Sequence, residues 1–168
     1  MDKADFERLV GEGRRVEESA MRSAQNQFEQ AKIWRGSNYV IGVPATLLAG
    51  AAGATALAST VGRIWAGVAA LAAASLSAVM TLLNLARRTD DALTAANAYL
   101  AAQQDARVYC EIDLHKLDYD AARQALSELI ARLQEVHKAA PLPSRRAYKR
   151  AQRNIERGGQ AYDVDSSA

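Results

Sequence analysis

Glu111, His115 and Asp118, within EIDLHKLDYD, are the residues whose types and spacing come nearest to a ligand set. On a helix the three would share one face and could offer carboxylates and an imidazole to a cation. Spacing alone does not make ligands converge, so a solvated polar face is expected there and no metal. His137 stands alone near a helix end, an ordinary place for a cation. Cys110 is the only cysteine, which excludes an internal disulfide and a Cys-based cluster and fits a reducing cytosol. No Ser/His/Asp set, zinc motif or Gly-rich phosphate loop is present. The chain therefore reads as a non-enzyme, with no catalytic residue and no cofactor.

Two further groupings carry polar chemistry of another kind. Ser77, Thr81 and Asn84 recur at i, i+4 and i+7, and Thr55 and Ser59 at i and i+4. Such rows serve interhelical hydrogen bonding or back-bonding to the helix's own carbonyls, which spacing favours. Lining a pore between assembled copies is the alternative. The second grouping is the tail APLPSRRAYKRAQRNIERGG. Pro141 and Pro143 end the preceding helix and Ser144 can cap a short new one. Arg145, Arg146, Lys149, Arg150, Arg153 and Arg157 make that helix basic, with Tyr148, Ala151 and Ile155 on its other side. Lipid headgroups, an acidic partner or nucleic acid would suit those bases, and so would plain solvent near a membrane; nucleic acid is the lesser alternative.

The elements that position these residues follow from how charge is distributed. Of the 51 residues from 36 to 86, only Arg63 is charged, although the chain holds 21 bases and 19 acids. Residues 39–61 and 64–86 are each long enough, as helices of roughly 35 Å, to cross a hydrocarbon core of about 30 Å. Arg22, Lys32 and Arg35 precede the pair and Arg87 and Arg88 follow it, so both termini are expected in the cytosol. Trp34, Tyr39 and Trp65 sit where amphipathic rings favour the interface, and Arg63 reads as the outer tip of a tight hairpin. The first span is poor in apolar bulk: seven Leu, Ile or Val residues contribute only about −2 to −4 kcal/mol towards insertion. Small residues recur every four positions instead. Ala45, Ala49 and Gly53, likewise Gly50, Ala54 and Ala58, and in the second span Ala66, Ala70, Ala74 and Ala78 suit close helix contact.

Outside the spans the pattern is helical as well. Phe6, Val10, Gly13, Ala20, Ala24, Phe28, Ala31 and Trp34 recur at near-helical spacing before the first span. Leu93, Ala96 and Leu100 form a stripe after the second. Ala122, Leu126, Leu129, Leu133 and Val136 then alternate in steps of four and three, a heptad seam that calls for partner helices. The two stripes differ in phase, which places a break near 113–119, with Asp118 or Asp120 as a cap. The N-terminus is too charged for a signal peptide, and residues after Gly158 read as a disordered end. The expected organisation is one all-α integral membrane unit. It comprises a cytosolic helix (1–36), a two-span hairpin (37–88), cytosolic helices (89–140) and a basic tail (141–168).

This layout resembles the SLATT domain. The likeness rests on NYVIGVPATLLAG, on LLNLARR closing the second span, and on ANAYLAAQQDARVYCEIDL and APLPSRRAYKRAQ. It covers roughly residues 5 to 155, and Pro-x-Pro followed by Arg, Arg, Ala, Tyr and Lys is its most specific part. The resemblance implies a bacterial inner-membrane effector of antiviral defence that oligomerises, forms pores or otherwise permeabilises the membrane, and kills or arrests the infected cell. Its trigger would come from a separate sensor or nucleotide-signalling protein, and the family offers no catalytic residues. A non-conducting anchor that recruits a cytosolic partner is the competing expectation.

Overall fold

The computed structural model describes residues 2–56 and 60–159 of the 168, with side chains described outside 55–63. Every regular element among them is helical. The helices are α1 (Lys3–Ala56), α2 (Thr60–Leu83), α3 (Leu85–Val108), α4 (Tyr119–Ala139) and α5 (Arg145–Glu156), with a π-helical turn at Tyr109–Asp113. The chain divides into two units, one built from Met1–Gln30 and Asp91–Ala168, the other from Ala31–Asp90.

The first unit packs the start of α1 against α3 and α4 through small side chains. Val16, Ala20 and Ala24 of α1, Ala95, Tyr99, Ala102 and Ala106 of α3, and Ala122, Leu126 and Leu133 of α4 are buried together. The heptad seam of α4 thus has its partners within the same chain. Gly13 shows how close the approach is: a Cβ there would collide with Cys110 Sγ and sit 3.2 Å from the Tyr109 ring. A glycine inside a helix is costly, and here it is what lets α1 pass over the π-helical turn.

The π-helical turn leads into a non-helical stretch, 114–118, which is the break expected near 113–119. The Leu114 amide reaches back five residues to the Tyr109 carbonyl at 3.0 Å, and Leu114 itself is fully buried. Tyr109 Oη donates to the Ala122 carbonyl at 3.0 Å, tying the turn to α4. Asp118 caps α4, its carboxylate accepting from the Ala121 amide at 2.8 Å.

In the second unit, the later part of α1 lies antiparallel to α2. Ala45 and Ala52 are buried and Ile41 and Leu48 half-buried on α1. On α2, Ala66 and Ala73 are buried, with Ala69, Leu76 and Met80 half-buried. Both sets alternate steps of three and four, the periodicity of left-handed helix pairs. Arg63 lies in the first turns of α2 rather than in the connection, and residues 57–59, with Ser59 and Ala58, are outside the described residues. The second helix does not run unbroken to residue 86: Asn84 takes a left-handed backbone (φ 44°) and separates α2 from α3. Asparagine is one of the few residues that reach this region at modest cost.

Two outcomes test this packing. Gly13→Ala should destabilise the fold by about 1–3 kcal/mol, as overpacking does. Adding Cys110→Ala should cost less than the sum of the two single changes in a thermal or chemical denaturation cycle. The second outcome concerns alkaline pH. Burial raises the pKa of the Tyr99 and Tyr109 phenols, and of the Cys110 thiol, where Glu17 adds to it. The folded chain therefore keeps protons that the unfolded chain has already lost. Stability from these groups is full below their ordinary ranges and should fall as pH rises through the folded values. A midpoint that rises above the ordinary thiol and phenol ranges would contradict this.

Candidate functional site

The second unit turns many of its large apolar side chains outward. Val40 is 73% exposed, Leu71 72% and Leu82 84%, and Leu47, Ile64, Trp65 and Val68 are exposed with them. A water-soluble helix pair would hide such residues and show its charges. Among the described residues the segment Ile64–Asp113, which takes in most of α2, all of α3 and the π-helical turn, contains one stretch long and apolar enough to cross a membrane, and 11% of that stretch is buried. Trp34 lies beneath the Arg88 guanidinium, 5.3 Å from its ring centre, a cation–π contact at the charged end of the pair.

The small residues divide between a seam and a groove. Ala45 and Ala66 lie in the seam. Ala49, Gly53, Ala70 and Ala74 flank it and, with Ala52 and Ser77, line a groove of about 570 Å³ along the pair. Gly50, Ala54 and Ala78 are exposed elsewhere on the helices. The contact inside one chain therefore runs on a seven-residue repeat, and most of the four-residue stripes stay available on the surface.

The hydroxyl row behaves differently from a uniform wall. Thr81 Oγ1 donates to the Ser77 carbonyl at 3.0 Å, as Ser75 does to Leu71 at 2.8 Å and Thr46 to Gly42 at 2.9 Å. Such back-bonding satisfies a hydroxyl within its own helix. Ser77 is exposed on the groove, and Asn84 is exposed at the left-handed position. The Thr55 side chain and Ser59 lie outside the described residues.

Glu111, His115 and Asp118 are each engaged separately. Glu111 pairs with Arg14 at 3.5 Å, His115 meets the Phe6 ring edge-on at 5.3 Å, and Asp118 is the α4 cap. His137 Nδ1 lies 2.9 Å from the Leu133 carbonyl and its ring meets Tyr99 edge-on. No group of three metal-capable side chains converges among the described residues.

The basic tail forms α5, capped by Ser144, whose hydroxyl accepts from the Ala147 amide. Ala147 and Ala151 are buried, and all six bases are exposed. Polar residues of α1 hold the segment in place. Gln27 Nε2 donates to the Pro141 carbonyl at 2.6 Å, Gln30 Oε1 accepts from the Ser144 amide at 2.7 Å, and Gln25 Oε1 accepts from Asn154 at 3.2 Å. Sequence reading passed over these glutamines. Their signal was QNQFEQ, a run of long polar side chains where the α1 stripe leads towards the spans. Gln30→Ala should leave the Ser144 amide unpaired, weaken α5 docking by about 1–3 kcal/mol, and speed trypsin cleavage within α5 at least about fivefold. Comparison with protein-family models, curated proteins and solved structures gives no match to this chain.

Proposed function

We propose that this protein is a membrane effector of the SLATT type in bacterial antiviral defence. The later part of α1 and the helix α2 form a two-span hairpin in the inner membrane, with both termini in the cytosol. On a signal from a separate sensor partner, copies assemble and permeabilise the membrane, arresting or killing the cell. The observation that carries this reading is the inverted surface of the α1–α2 pair. The fully buried residues of its seam are alanines, small residues line a groove beside it, and most of its bulky apolar residues face outward. Lipid covers bulky side chains well, whereas a shallow groove of Ala and Gly lets another helix approach closely. The sequence resemblance and the basic residues flanking the spans support the same placement.

A non-conducting anchor is the second reading, and the back-bonded hydroxyl of Thr81 favours it by removing one donor from any wet wall. Dye release from liposomes separates the two. Under the effector reading the activated protein releases dye, and Gly53→Leu or Ser77→Leu, which fill the groove, lower the release roughly tenfold. Under the anchor reading no dye is released. Replacing residues 37–88 by an unrelated two-span segment would then preserve cellular activity.

A further inference from the structure

We propose that the outer face of α5 is a docking site for anionic phospholipid headgroups, one that binds by charge and not by helix insertion. Segment 144–157 holds six bases against one acid, Glu156. Its net charge is thus +5, within a chain whose net charge is +2. At 100° per residue the six bases fall within an arc of about 140°, and Ala147 and Ala151 lie on the opposite side. Those two alanines are packed away at 0% and 1% exposure. The apolar side that a free amphipathic helix would bury in lipid is therefore already occupied inside the unit.

The charge is unspent. Among the described residues Arg145, Arg146, Lys149, Arg150 and Arg157 form no ion pair, and Arg153 Nε donates to the Lys149 carbonyl of its own helix. Like charges so crowded raise one another's energy until an anion answers them. The fixed hydrogen bonds from Gln25, Gln27 and Gln30 hold the face in one orientation. Leu142, 95% exposed between its two prolines, precedes the basic helix, and Tyr148, 56% exposed, lies just outside the basic arc, beyond Arg145. Headgroups are favoured over nucleic acid because the same chain holds a membrane-length apolar helix. This inference rests on the membrane placement but not on permeabilisation.

The test uses the full chain in lipid nanodiscs, with an environment-sensitive fluorophore on Tyr148→Cys; the native Cys110 is buried. Discs of phosphatidylcholine alone are compared with discs that also contain phosphatidylglycerol. The expected result is brighter, blue-shifted emission only in the anionic discs, reversed by high salt. Each neutralised base should lower the docking constant about fivefold, so R146E/K149E/R150E should abolish the response. Equal emission in both discs, or a response that survives that triple change with its helicity intact, overturns the proposal. Emission that responds to an RNA or DNA duplex but not to phosphatidylglycerol overturns it in favour of nucleic acid. If the triple variant does not fold, the lipid and salt dependence of the unreversed face decides. A chain that docks phosphatidylglycerol yet releases no dye keeps this site and loses the effector reading.

Discussion

Close approach of helices through small side chains is the constraint on which both units rest. Ala20, Ala92, Ala96, Ala106 and Ala122 are fully buried, and Gly13 exists because nothing larger fits over Cys110. An alanine removes little apolar surface from water, so each contact contributes little by transfer alone. What such contacts add is dispersion between backbones brought near one another, which a single extra methyl disrupts. In the Ala31–Asp90 unit the same rule works with the opposite exterior. Ala45, Ala52, Ala66 and Ala73 are the buried members of the seam, with Ile41, Leu48, Leu76 and Met80 half-buried beside them, while Val40, Leu47, Ile64, Val68, Leu71 and Leu82 point away from it. Water stabilises the first arrangement, and lipid suits the second.

The helical class and the α4 seam were legible because they rest on periodicity, which sequence states directly. The break after α3 was legible in place, since the two stripes differ in phase, but not in form. A π-helical turn with Tyr109 tied to Ala122 depends on a contact thirteen residues apart. The spacing of small residues in the paired helices was harder to read. Stripes of four and of seven coexist among so many alanines, and only the partner helix decides which becomes the seam. The position of Arg63 in α2 and the left-handed Asn84 were hidden for a similar reason. An uncharged run has no internal mark for where one helix stops, and Asn reads in sequence as one more polar residue on a face.

The amides of Gln25, Gln27 and Gln30 show how a polar cluster can be structural. Each spends a hydrogen bond on the α5 segment, including the backbone of a Pro-x-Pro stretch whose prolines offer carbonyls but no N–H. Buried amides paired this way specify one docking geometry, because a shifted segment would leave them unsatisfied. The basic helix is thereby fixed by neutral groups, and its charges remain free for other work.

Thr46, Ser75 and Thr81 bear on what the paired helices can do in lipid. Each hydroxyl is bonded to its own helix, so it adds little cost at membrane depth and equally little to a wet surface. Permeation by a wall of hydroxyls is therefore the weaker form of the effector reading. Its stronger form rests on the groove lined by Ala49, Gly53, Ala70, Ala74 and Ser77. A first span with only about −2 to −4 kcal/mol from its aliphatic residues gains little from lipid alone. Under the proposed function, helix contact along that groove would stabilise the span, and the features that would make a hairpin marginal as a monomer would be the ones that favour its assembly.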